Sequence, residues 1–144
     1  MILNYKGSCP DFRLEYATPF SAGVDVISEL PDFFLMPSVP TLVDTQVFIT
    51  VEEAAQQIGA AYYFQYLRVA PKSGLALQGV DTMAGVIDFD FPLSIQVVLI
   101  NLNSFPVQIL RHSKVAQLIV ERAGRMPLPI KLSKREGGFG STDK

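Results

Sequence analysis

The run SIQVVLINLN (residues 94–103) decides the fold class. Its β-branched and apolar residues read as a strand, and KVAQLIVERA (114–123) has the same character. Pro and Gly cluster between such runs. Ten prolines spread over 144 residues argue against a helical bundle. Strands at this spacing predict an all-β, antiparallel sandwich or jelly roll in one domain, with no linker or repeat. One stretch departs from the pattern: TVEEAAQQIG (50–59). Thr50 reads as an N-cap, Glu53 completes a capping box, and Gly59 suits a helix end. The spacing predicts one short helix over 51–58.

The chain is 49% apolar, with a mean hydropathy of +0.27, high for a small soluble monomer. No apolar run approaches the roughly 20 residues a membrane span needs, and MILNYKGSCP at the start lacks a secretory pattern. Contact between subunits accounts better for the surplus apolar surface, so an oligomer is expected. Cys9 is the only cysteine, which excludes an intrachain disulfide and suits a reducing, cytoplasmic setting. One His and one Cys cannot make a structural zinc site. The lone His112, in the turn RHSK, argues against a Ser-His-Asp hydrolase.

Charge is unevenly spread. Residues 1–110 carry four Lys/Arg against eleven Asp/Glu; residues 111–144 carry eight against three. A basic end on an acidic body points to an anionic ligand. The end itself, KREGGFGSTDK (134–144), holds three glycines and a single aromatic. It buries too little to order itself alone, and its amides and hydroxyls could wrap phosphate oxygens. The P-loop spacing GxxxxGK[ST] is absent. In GVIDFDF (85–91), strand alternation predicts Asp88 and Asp90 on one face, with Ile87, Phe89 and Phe91 on the other.

Five segments in order, SAGVD (21–25), APKSGLA (70–76), AGVIDFDF (84–91), KVAQ (114–117) and GGFGST (137–142), resemble the five motifs of the homotrimeric dUTPase family. The resemblance runs from about residue 21 to the C-terminus. It implies a distorted jelly-roll β-barrel over residues 1–133 and a flexible glycine-rich tail, 134–144, closing an active site. It further implies a homotrimer with active sites shared between chains, the tail of one subunit covering a site formed by the others. The implied reaction is hydrolysis of dUTP to dUMP and pyrophosphate, with Mg2+ on the triphosphate. Neither membrane nor direct nucleic-acid binding is implied. The chain's compact length and drifted motifs suit a bacteriophage or other virus, working in the host cytoplasm.

On that resemblance Asp88 is the catalytic base, since a carboxylate, ionised at pH 7, can take the proton of a water aimed at the α-phosphorus. Asp90 would brace the hairpin. Phe91, where the family usually has Tyr, would pack under the deoxyribose and exclude a 2′-hydroxyl. Gly85 and the hairpin main chain would hold uracil, and Thr82 stands where many members place a base-contacting Asn. Lys72, Ser73 and Gly74 match the phosphate-binding turn, Gln117 the motif-four glutamine, and Asp25 an acid that touches the metal through water. In the tail, Phe139 and Gly140 would cover the uracil, Ser141 and Thr142 would reach the γ-phosphate, and either Lys134 or Arg135 would supply the cation.

Several positions depart from the pattern. Lys72 and Lys114 replace arginines, Pro92 and Leu93 an Arg-Gly pair, and Asp143 a glycine. The 46–70 segment is also about ten residues longer than the family's. These departures, with Phe91, motivate one alternative, a regulatory relative that binds an unknown protein partner with weak or absent hydrolysis; a dCTP deaminase-type enzyme, which shares the fold, is a further alternative.

Overall fold

The computed structural model describes residues 1–51, 63–131 and 135–140. Among these residues it is all-β apart from one short helix. In chain order the elements are β1 (Ile2–Tyr5), β2 (Val24–Ile27), β3 (Phe33–Leu35), β4 (Thr41–Asp44), β5 (Val47–Thr50), β6 (Tyr63–Ala70), α1 (Ser73–Leu77), β7 (Val80–Met83), β8 (Val86–Ile87), β9 (Gln96–Asn101), β10 (Val107–Ile109) and β11 (Lys114–Gly124). The helix expected over 51–58 falls, past Val51, outside the described residues. Among the described residues a helix, α1, lies in the turn after β6.

All strand pairs are antiparallel. They form a four-stranded sheet of order β2-β11-β6-β8, a three-stranded sheet of order β4-β9-β7, and the pairs β1-β5 and β3-β10. This is the distorted jelly roll that the strand pattern anticipates. Strand β9 shows how sequence gives face: Val97, Leu99 and Asn101 point inward and are fully buried, while Gln96, Val98 and Ile100 are half-covered. The core joins Val26, Leu35, Val43, Leu67, Val69, Val97, Leu99, Val115 and Leu118.

Two buried polar side chains knit the layers. The Asn101 amide donates to the Leu35 carbonyl at 2.9 Å and the Phe105 carbonyl at 2.7 Å, and its oxygen accepts the Asn103 N–H at 2.9 Å. The Thr45 hydroxyl donates to the Ile95 carbonyl at 2.6 Å. Each therefore keeps its hydrogen bonds on leaving water, which is what makes its burial tolerable.

The N-terminal segment is anchored by charge. Glu29 accepts from the Tyr5 hydroxyl and from the Ser8 N–H and hydroxyl, at 3.2 and 2.9 Å, and His112 Nε2 lies 3.5 Å from it. His112, read as a plain turn residue, thus sits at a junction, with its backbone in the left-handed region (φ 65°). Burial, helped by the Glu29 bond, pushes the Tyr5 phenol up to about 12. Burial raises the Glu29 pKa too, but hydrogen bonds from Tyr5 and Ser8 and the charge of His112 outweigh it and leave it lowered.

Two outcomes are expected. Leu67→Ala, at a fully buried position, lowers unfolding free energy by about 2–5 kcal/mol in urea titration. Because the folded Glu29 pKa lies below the ordinary 4.5, its contribution is full above that value and is lost as pH falls through the depressed value. Glu29→Gln should therefore flatten the acid limb of the thermal-midpoint profile, and an unchanged limb would count against this anchor.

Candidate active site

Of the residues singled out by sequence, those described, Thr82 on β7 apart, fall into two clusters on the four-stranded sheet and its connections. The first forms where β2, β11 and the end of β6 meet. Gln117 stands opposite Asp25 on β2 and opposite Ala70 on β6. Its amide donates to the Pro71 carbonyl at 3.1 Å. Gly23 permits this packing, since a Cβ there would lie 2.6 Å from Gln117 Oε1. A bulge between Lys114 and Ala116 shifts the β11 register just before Gln117.

Lys72 is the N-cap of α1, but its side chain makes no capping bond. It reaches Asp25 Oδ1 instead, at 2.6 Å, while Lys114 Nζ lies 3.1 Å from Oδ2. Burial raises the Asp25 pKa, yet the hydrogen bonds and charges of Lys72 and Lys114 outweigh it, and the carboxyl sits below its usual range. Ser73 and Gly74 are exposed, and a Cβ at Gly74 would meet nothing within 4 Å. The turn thus offers its backbone to an open face.

The second cluster is the β8 hairpin. Gly85 has φ 115°, and a Cβ there would lie 2.7 Å from the Val69 carbonyl oxygen, which only glycine avoids. The Gly85 carbonyl accepts the Val69 N–H at 2.7 Å. Strand β8 ends at Ile87, and the Phe91 N–H donates to the Asp88 carbonyl at 3.0 Å. Asp88 and Asp90 consequently lie on a turn rather than on one face of a strand. Both are exposed nonetheless, and Phe91 is buried. Extended alternation fails here because the chain must reverse within four residues.

Residues 135–140 lie against this turn. Arg135 pairs with Asp88 through Nη1, approaches Asp90 Oδ1 at 3.7 Å, and donates from Nε to the Gly137 carbonyl at 2.8 Å. Its guanidinium carbon is 5.3 Å from the Phe91 ring centroid. Gly138 touches the same ring so closely that a Cβ would fall 2.3 Å from a ring carbon. An open cavity of about 210 Å³ adjoins, lined by Gly85, Val86, Ile87, Phe91, Arg135 and Phe139 among others. A flat apolar ring, main-chain hairpin groups and a charged rim could take a planar heterocycle on a sugar phosphate.

Thr82 is not among the lining residues; its neighbour Met83 is. Lys134, Ser141, Thr142 and Asp143 lie outside the described residues. Sequence reasoning missed Gly23, Gly138 and the Lys72–Asp25–Lys114 contact. The doubled glycine before Phe139 was the only signal for Gly138, and nothing local signalled the ion pairs. Among the described residues no group of three or more His, Cys, Asp or Glu could hold a metal ion. Asp25, with an ammonium group on each oxygen, does not fit as a direct metal ligand. No helix among the described residues is long and apolar enough to cross a membrane.

A family model described as dUTPase matches residues 13–143. The deoxyuridine 5′-triphosphate nucleotidohydrolase of Variola virus is 32% identical over 130 residues, covering 87% of this chain and 81% of the viral one. The native EIAV dUTPase superposes with a TM-score of 0.65 at 23% identity, over 89% of this chain and 97% of the other. A point-mutant dUTPase from phage phi11 of S. aureus, described for its coordination of a structural Mg(II) ion, gives 0.64 at 16% identity, over 94% and 98%.

Gly138→Ala should lift the tail off Phe91 without loosening the barrel. Amide hydrogen exchange at 88–91 should quicken while the thermal midpoint stays put; unchanged exchange would mean the close contact does not hold the tail.

Proposed function

The chain belongs to the dUTPase family, and from that premise we propose that it hydrolyses dUTP to dUMP and pyrophosphate with Asp88 as the general base. The observation that supports this reading is the joint position of Phe91, Arg135 and Phe139 around one cavity, with Asp88 paired to Arg135. Uracil enters against Gly85 and Val86, whose main-chain groups hydrogen-bond its edge. The deoxyribose lies on Phe91, where the buried ring leaves no space for a 2′-hydroxyl. Phe139 covers the base.

Water then attacks the α-phosphorus. Its proton passes to Asp88, the new P–O bond forms, and the bond to the bridging oxygen breaks as pyrophosphate leaves. Arg135 pairs with Asp88 before substrate arrives, and its planar fork has a stronger partner once a triphosphate is present. Release of that pair uncovers the base at the moment it is needed. Gln117 donates a neutral hydrogen bond to the triphosphate, and Ser73 and Gly74 offer a hydroxyl and amides. Lys134, Ser141 and Thr142 complete the phosphate contacts from the tail. Thr82, on β7 and outside the cavity lining, has no role in this reading.

Mg2+ is the expected cofactor and would arrive on the triphosphate, where it neutralises phosphate charge. The structural Mg(II) ion of the phage phi11 dUTPase is in keeping with a metal in the family.

The active unit is a trimer. Phe20, Leu77, Val86 and Met126 stand exposed and are available to subunit contacts. The two clusters are separate halves that neighbouring chains bring face to face. A tail that rests on its own hairpin can make the same contacts on a neighbour by exchange.

A turnover panel with dUTP, dCTP and UTP tests the reading. Pyrophosphate should appear from dUTP alone, without ammonia; ammonia from dCTP, or no turnover, would overturn it. Asp88→Asn should cut kcat by about a hundredfold or more while an uncleavable dUTP analogue still binds. Lost analogue binding with an intact fold would remove Asp88 from the base role. Truncation after Glu136 should cripple turnover and leave the trimer assembled.

A further inference from the structure

We infer that Asp25 is a positioning residue that tethers two phosphate-binding lysines, Lys72 and Lys114, and does not hold the metal. The inference rests on the proposed function above, because it takes the first cluster as the triphosphate half of the site. It departs from the role that the resemblance gives Asp25, and it adds Lys114 to the binding surface.

Three observations carry it. First, the two carboxylate oxygens have different partners: Lys72 Nζ on Oδ1 at 2.6 Å and Lys114 Nζ on Oδ2 at 3.1 Å. Second, exposure rises outward through the group. The Asp25 side chain is 16% exposed, Lys72 29% and Lys114 59%. A charged ligand approaching from solvent therefore meets ammonium groups before it meets the carboxylate. Third, the lysines come from separate elements, the N-cap of α1 and the first residue of β11, and Asp25 touches both.

The sign of the cluster decides its ligand. Two ammonium groups against one carboxylate leave a net positive charge. A dication brought to Asp25 would be pressed against two like charges, whereas a polyphosphate would find two cations already converging. The chemistry of lysine explains the tether. Arginine brings a rigid planar fork to phosphate; lysine brings a point charge on a flexible stem. With lysine at both places where the family pattern has arginine, the shared carboxylate supplies the missing direction. Ser73 and Gly74 stand beside Lys72 with their backbone open, so the tethered charges and the amides face one ligand.

Calorimetric titration with inorganic tripolyphosphate tests this, run once in EDTA and once with Mg2+, and repeated with an uncleavable dUTP analogue. Asp25→Asn should weaken tripolyphosphate by roughly tenfold, and by the same factor in both buffers. Weakening confined to Mg2+ would return Asp25 to the metal, and unchanged or tighter binding in EDTA would remove the tether. Should Asp25→Asn fail to fold, Lys114→Met, on an exposed side chain, decides the matter. Weaker binding in EDTA supports the clamp and unaltered binding overturns it. Wild-type protein that binds tripolyphosphate but not the analogue would sink the proposed function while leaving the clamp standing. An analogue that binds with no tripolyphosphate effect of either variant would do the reverse.

Discussion

The register of β11 between β2 and β6 is the constraint on which the rest depends. One residue, Gln117, is held opposite Asp25 on one side and Ala70 on the other. That alignment delivers Asp25, the Pro71–Gly74 turn and Gln117 to one place from three distant parts of the chain. β6 then carries the alignment onward through Leu67 opposite Ile87, which sets the hairpin holding Asp88. A slip of one residue would turn every one of these side chains to the opposite face. The register is kept by burial, because Val115, Ala116 and Leu118 enter the core while the polar members of β11 stay outside it.

Electrostatics follows from that geometry. Asp25 and Asp88, the two acids assigned to the site, are both paired with cations in the resting chain, Asp25 with two lysines and Asp88 with Arg135. The importance of these pairs lies in charge placement: each cation is held where a polyphosphate can take it over. Lys114 and Arg135, two cations of the basic 111–144 stretch, are thereby brought onto acids of the body.

Much of this was legible from residues alone. The β character of 94–103 and 114–123 follows from local chemistry, and the hairpin at 85 and the tail's place over the site follow from the family resemblance. Local pattern failed where a long-range contact decided the outcome. Alternation put Asp88 and Asp90 on a strand face, but the Phe91 bond to the Asp88 carbonyl turns the chain first. His112 looked like a surface turn residue because its partners, Ser8 and Glu29, lie far away in sequence. Lys114 looked like a solvent charge because only the β2–β11 pairing reveals Asp25 beside it. Gly138 had no visible task until Phe91 stood against it.

The pairing of β1 with β5 has a consequence for life in a crowded solution. Strand β5 carries Val47, Phe48 and Ile49, an apolar run with hydrogen-bonding groups along its border. Ile2 to Tyr5 occupy that border, residue for residue, against Thr50 to Val47. Left bare, it would be a template for a strand from another molecule. The first few residues of the chain therefore act as a built-in guard against aggregation, and their loss would show as precipitation before it showed as altered chemistry.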